Sequence, residues 1–408
     1  MTSRPAWLSL VLALAPACAS EGSLDAGESD TSSDTSDTSD TGEPDPALCR
    51  AIALPVSPSP GAQQLELVAE RSAIPGLADQ PTPHGQILGS LFAFDGRLHL
   101  GYGDYSANTG PILALAWDPL ASTFVELGIL PTEEVLWFRP GLATLYSPAI
   151  DPDGHQESGG IHRLDCGADQ WHVGAPIEGA VHVYDVAIQG ESIYATTGSL
   201  TGQPALLMRS EDHGESWTEV LRRESAADRF SRFHFLGATP DRLFVAGQDY
   251  PAPGTAFAWL REGQAEFEPL SDPPASTLVP IVLADAMLIT SFSGNPGRSD
   301  YLASWRIEAG GFVPDSPWPT LASGEPKLVA WAPDGERLLV LLAAPDGSYS
   351  VQRTDDLSPG AMAWQPLAEL DPLVGDEYVS MALLLDDLYL GSKLGSLYAL
   401  RELELPSQ

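Results

Sequence analysis

An apolar run, a tight turn, a second apolar run and a polar loop recur about every 48 residues along most of this chain. The opening strands of the repeats are expected near Ile87, Val135, Val183, Phe233, Val279, Leu328 and Val379, at steps of 48, 48, 50, 46, 49 and 51 residues. No sustained helical periodicity separates them. A strand-only unit of this length cannot bury its own apolar face, so such units stack as blades around an axis. The expected fold is all-β: a seven-bladed β-propeller of four-stranded antiparallel blades over residues 49–408. Six blades with an N-terminal cap is the competing count.

Turn chemistry supports this pattern. Asp95-Gly96 between two apolar runs is a strong hairpin signal, and weaker versions stand at Gln189-Gly190, Pro240-Asp241 and Pro333-Asp334-Gly335. The final repeat lacks a strand, because only eight residues follow Leu397–Leu400. The lone strand signal at Gln64–Glu70 is expected to pair beside residues 396–402 and close the ring, leaving no open edge.

The chain carries 56 acids against 20 bases, a formal charge of -36, with lysine only at Lys327 and Lys393. Such a surface repels nucleic acids, so no nucleic-acid partner is expected. Residues 1–17 read as a signal peptide: Arg4, then an apolar run from Trp7 to Ala15 that is too short to span a bilayer. Residues 19–46 are acidic and polar, with nine acids and no base between Ala19 and Leu48. They hold too little apolar surface to offset ordering entropy, so 18–48 reads as a disordered linker.

Ala15-Pro16-Ala17-Cys18 resembles a bacterial lipoprotein cleavage box, which implies lipidation at Cys18 and membrane attachment through that lipid alone. An exported lipoprotein of the outer membrane or cell surface is the expected placement, with plain secretion as the alternative. Cys49 and Cys166 then remain as a candidate disulfide. Ser210-Glu211-Asp212-His213-Gly214-Glu215-Ser216-Trp217 resembles the Asp-box of sialidases and related propellers, with Ser210, Asp212, Gly214 and Trp217 on its fixed positions. Thr354-Asp355-Asp356 with Trp364 is a stretched relative. The resemblance implies a structural turn away from the axis. Phe138-Arg139-Pro140 is similar to part of an early sialidase motif, although no nucleophile pair accompanies it.

In a propeller, the starts of the inner strands and the loops between second and third strands open on one face. Polar residues concentrate at those places. Asp104, Glu133, Glu134, His182 and His234 are the acid–base candidates. Tyr102, Tyr105, Asn108, Arg139, Arg232, Asp249 and Tyr250 are the candidate ligand contacts. For the blade-one loop the competing reading is a self-satisfied turn, with Asp104 and Asn108 capping backbone N–H groups. The parity of the two histidines is also open, since a period of two can send one imidazole away from the channel. No metal or cofactor is expected. The expected function is binding of a carbohydrate or other extracellular ligand by a monomer; the alternatives are a glycan-active hydrolase or lyase, and a protein-assembly scaffold.

Overall fold

The computed structural model describes residues 65–141, 143–151, 159–198, 202–228, 230–250, 254–261, 267–270, 277–283, 285–292, 301–308, 311–315, 317–334, 337–358, 362–385 and 387–401. The expected signal peptide, Cys18, the acidic linker and Cys49 lie outside the described residues.

The chain is an all-β propeller of four-stranded antiparallel blades. β1 (Glu66–Ala69) and a short 3-10 turn at Arg71–Ala73 precede the first hairpin. One blade is β2 (Ser90–Phe94), β3 (Arg97–Gly101), β4 (Ile112–Asp118) and β5 (Thr123–Leu130); the next is β6 (Arg139–Pro140), β7 (Thr144–Pro148), β8 (Ile161–Asp165) and β9 (His172–Val173). β10 (His182–Gln189), β11 (Ser192–Gly198), β12 (Ala205–Ser210) and β13 (Thr218–Arg223) pair in that order. So do β14 (Phe230–Thr239), β15 (Arg242–Tyr250), β16 (Gly254–Arg261) and β17 (Glu268–Pro269). They are followed by β18 (Thr277–Leu283), β19 (Ala286–Phe292), β20 (Tyr301–Glu308) and β21 (Gly311–Asp315). β22 (Lys327–Asp334), β23 (Arg337–Ala343), β24 (Tyr349–Thr354) and β25 (Gln365–Leu370) form another such set. Last come β26 (Tyr378–Leu384), β27 (Asp387–Ser392) and β28 (Leu397–Leu400).

β1 pairs antiparallel with β28, Glu66 opposite Ala399 and Leu67 opposite Tyr398, so an N-terminal strand completes the C-terminal blade as expected. Arg401 fastens this seam: its Nε reaches Glu66 at 2.9 Å and its Nη1 reaches Asp387 at 2.6 Å. The apolar faces bury between neighbouring blades. Leu91, Leu98, Leu115, Phe138, Leu145, Tyr389 and Leu397, drawn from three blades, form one cluster. Burial of this kind, about 25 cal/mol per Å² of apolar surface, is what holds blade to blade.

Four of the inner strands share an irregularity that no sequence pattern announced. β10 skips a partner between Val183 and Asp185, β14 between Phe233 and Phe235, β22 between Leu328 and Ala330, and β26 between Tyr378 and Ser380. The residues bulged out of the ladders are Tyr184, His234, Val329 and Val379. A bulge inserts one residue and re-aims side chains, which resets the in–out alternation partway along each strand.

Candidate functional site

The polar cluster expected at the strand starts divides into two groups. One is built by the loop from Tyr102 to Pro111, which lies against Thr132–Val135: Val135 N donates to Tyr102 O at 2.9 Å, and Gly103 bridges Glu134. Gly103 is required there. Its φ is +123°, and a Cβ would lie 2.4 Å from Glu133 O. Asp104 is buried, and its carboxylate organises this loop. Oδ2 accepts from Thr82 Oγ1 at 2.6 Å, while Oδ1 accepts from Ser106 Oγ at 2.6 Å and Ser106 N at 3.1 Å. Burial works to raise its pKa. The bonds from Ser106 and Thr82 and the nearby His84 outweigh that, and hold it below the ordinary carboxylate value. Asn108, at φ +53°, donates to both carboxylate oxygens of Glu133 at 3.1 Å in the amide orientation that satisfies both of its ends. Glu133 and Glu134 are both buried.

Tyr102 corrects an expectation. It was expected at the ligand face, but it is fully buried among Ile74, Leu77 and Ile112, with its hydroxyl donating to Leu113 O at 2.7 Å. Alternation explains the reversal: Tyr102 continues the core-facing series Leu98, Leu100 at a spacing of two.

The second group lies at the starts of β10 and β14. His182 Nδ1 is 2.5 Å from Asp151 Oδ1, and its Nε2 is 3.5 Å from Arg232 Nη2. The Asp151 carboxylate thus lies on one side of the imidazole and the Arg232 guanidinium on the other. The His182 ring stacks on Tyr184, centroids 5.3 Å apart at 27°, and His234 meets Tyr184 edge-on at 4.9 Å. Arg232 lies over Tyr184 at 5.5 Å and over Phe230 at 4.7 Å. Gly198 allows this packing, because it is paired to both His182 and Arg232 and a Cβ there would be 2.6 Å from Tyr184. Burial, then the charges of Arg232 and His182, lower the His234 pKa to about 3. The bulges at Tyr184 and His234 are what bring both histidines to one ring. Tyr105 packs against the same patch, with Leu136, Ile150 and Trp137. The two groups are therefore neighbours, joined through Thr132 Oγ1, which donates to Ile150 O at 3.0 Å, and Glu133 N, which donates to the same oxygen at 3.0 Å.

Arg139 is committed elsewhere. Its Nε and Nη2 bond the two oxygens of Asp185 at 2.8 and 3.1 Å, and its guanidinium covers Trp137 at 4.8 Å. Asp185 also accepts from Leu236 N at 3.0 Å and Val186 N at 2.9 Å, so one buried carboxylate ties three blades together. A three-arginine clamp on a ligand would need Arg139 free, and this pairing uses its fork. Asp185 was missed in the sequence. The available signal was its position as the one charge inside the apolar run Val183–Ile188, where an acid needs a partner.

Of the remaining candidates, Asp249 and Tyr250 lie at the end of β15, opposite Ser231 and Phe230. The turn Ser210–Trp217 joins β12 to β13, away from the inner strands. Ser210 Oγ donates to Asp212 Oδ1 at 2.7 Å, Gly214 N to Ser210 Oγ at 2.8 Å, and Ser216 N to Asp212 Oδ1 at 2.9 Å. The β24–β25 turn repeats part of this, with Ser358 N donating to Asp356 Oδ1 at 2.6 Å. Cys166 is disulfide-bonded, and Cys49 lies outside the described residues. Among the described residues no group of three or more His, Cys, Asp or Glu side chains is arranged to hold a metal ion.

A cavity of about 300 Å³ runs down the axis. It is lined by residues of β2, β6, β10, β14, β18, β22 and β26, together with Trp137 and Phe138. The side chains that line it are mostly apolar, and Trp137 stands between it and the Tyr184 patch, 5.9 Å from Phe235 and 6.0 Å from Trp331.

No family model matches the chain, and no curated protein matches it. Solved structures do. The GH74 enzyme of Niastella koreensis is 11% identical with a TM-score of 0.52, over 85% of this chain and 55% of that one. YCF48 from Cyanidioschyzon merolae is 13% identical with a TM-score of 0.44, over 79% and 97% of the two chains. A virginiamycin B lyase from Staphylococcus aureus is 13% identical with a TM-score of 0.45, over 76% and 93%. The likeness is one of fold.

Proposed function

We propose that this chain is a ligand-binding propeller, a ring of seven blades whose channel face takes a carbohydrate. The observation that carries the reading is the rim of β10 and β14. There Asp151, His182 and Arg232 present acceptor and donor groups beside the aromatic rings of Tyr184, Tyr105 and Phe230. Sugars combine hydroxyl groups with an apolar ring face, and a site for them pairs fixed polar groups with aromatic surface. Seven blades are supported by the inner strands that meet at one axial cavity. The same reading takes residues 1–17 as an export signal, Cys18 as a lipid anchor, and the Ser210–Trp217 turn as an Asp-box.

One observation favours a second reading. Asp151 and His182 Nδ1 approach to 2.5 Å, the carboxylate–imidazole pairing that a glycan-active enzyme would use in acid–base chemistry. Affinity electrophoresis and calorimetry against soluble neutral and acidic polysaccharides test the binding reading. Arg232→Gln and His182→Ala are expected to weaken the best ligand at least about tenfold, roughly 1.4 kcal/mol. Absence of binding across the panel, or equal binding by both variants, would refute it. Product release that is lost in Asp151→Asn would favour the enzyme.

A further inference from the structure

We infer that the turn end of the blade β2–β5 is a docking surface for the chain's own residues 51–56, which a disulfide between Cys49 and Cys166 clips beneath it. Cys166 is disulfide-bonded. The chain has three cysteines, so the partner is Cys18 or Cys49, both outside the described residues. Charge selects Cys49. Acids crowd around Cys166: Asp95, Asp165 and Asp169, the last two 59% and 89% exposed and each 3.9 Å from an arginine. Arg50, beside Cys49, is the one base between Arg4 and Arg71 and complements them. Joining Cys18 instead would draw the nine acids of residues 19–48 toward those carboxylates. The bond forms by exchange: a disulfide oxidant takes two electrons and two protons from the paired thiols and leaves as two thiols.

Both ends of the clipped arm lie at the same end of the ring. Cys166 follows β8 and Asp151 precedes it, so the five residues of β8 separate Cys166 from the rim by roughly 16 Å. At the other end of the arm, Glu66 is bonded by Arg401, which also reaches Asp387 at the β26–β27 turn. The β2–β3 turn stands between them, and Asp95 Oδ2 accepts from Gly167 N at 3.0 Å. The arm has 16 residues from Cys49 to Leu65, a reach of roughly 55 Å at most, which suits the short way across the first blade. That crossing meets apolar surface. Leu120, in the β4–β5 turn, is 88% exposed, with nothing among the described residues over it. Phe124 and Ala168 are partly buried at the edge of the cluster that holds Trp117. Ala51, Ile52, Leu54 and Val56 form the uncharged apolar run that begins two residues after Cys49. Covering Leu120 with them removes apolar area from water on both sides. This surface is at the end of the blades away from Asp151 and His182, so it stands or falls apart from the rim reading.

Digestion of the full, unreduced chain with a glutamate-specific protease puts Cys49 in peptide 29–66, Cys166 in 158–178 and Cys18 in a third peptide. Mass spectrometry is expected to find the first two joined. A link from Cys166 to the Cys18 peptide, or an unlinked Cys166 peptide, overturns the clip. Carbene footprinting of the unreduced chain then reads side-chain exposure. Ile52→Asp and Leu54→Asp are each expected to raise labelling of Leu120 at least about twofold. Leu394, 52% exposed at the rim end of the last blade, is the reference and is expected to stay unchanged. Cys49→Ser is expected to raise Leu120 labelling in the same way and to lower the thermal transition by roughly 3–6 °C. Thermal transitions verify that the two Asp variants are folded. Unchanged Leu120 labelling in both folded Asp variants overturns the docking surface. So does a rise matched at Leu394, which would report general loosening.

Discussion

Acidification from pH 7.5 to pH 5 carries free histidine through its titration while three imidazoles of this fold stay neutral. Burial lowers the pKa of His99 to about 3 and that of His162 to about 4, and His234 lies at about 3. His99 shows the cause most plainly. It is 1% exposed and sits among Phe94 at 6.0 Å, Phe138 at 6.0 Å and Trp171 at 6.2 Å. The folded pKa lies below the unfolded value near 6.5, so between about pH 6.5 and the folded value the unfolded chain holds the extra proton. Stability is therefore full above the unfolded pKa and falls as pH falls. At pH 5 the loss per fully buried imidazole is RT ln(1 + 10^1.5), about 2 kcal/mol. His99 and His162 together are expected to cost about 4 kcal/mol at pH 5. Carboxylates common to the wild type and the His99→Phe variant cancel in the comparison. Asp104, Asp212, Asp346 and Asp356 have pKa values lowered from the ordinary one, so their contributions are lost only at more acid pH. His99→Phe replaces an imidazole by a ring suited to its aromatic surroundings and removes one titration. Urea unfolding at pH 7.5, 6.5, 5.5 and 5.0, at constant ionic strength, is the assay. The variant is expected to gain about 2 kcal/mol on the wild type between pH 7.5 and pH 5. Parallel pH profiles for the two proteins would refute the reasoning.

Three further outcomes are expected. Asp185→Ala strands the Arg139 guanidinium and two backbone N–H groups, and should lower unfolding free energy by about 3–5 kcal/mol, with Arg139→Met less severe; calorimetry checks both. Gly214→Val combines a φ of +88° with a Cβ contact 2.8 Å from Ile161, so it should lower the melting temperature more than Gly96→Ala, whose Cβ meets nothing within 4 Å. Removing residues 65–70 deletes β1 and exposes the edge of β28. The expected result is concentration-dependent association, read by light scattering, and a monomer as stable as the parent would count against closure by β1.

The sequence carried the repeat, the all-β class, the four-strand blade and the pairing of residues near 66 with those near 399, because each follows from local alternation and turn chemistry. It also placed His182 at the start of β10, and Arg232 and His234 near the start of β14. What it could not carry was side-chain direction there. Bulges at Tyr184 and His234 reset the period of two, so parity counted from the hairpin turns says nothing about which way His182 and His234 face. Tyr102 went to the core and Arg139 to Asp185 for a related reason. Which partner satisfies a buried polar group depends on strands some 46 residues apart being brought side by side. Alternation is a property of a strand and is written in the chain; pairing across an axis is a property of the ring, and only the folded arrangement of blades decides it.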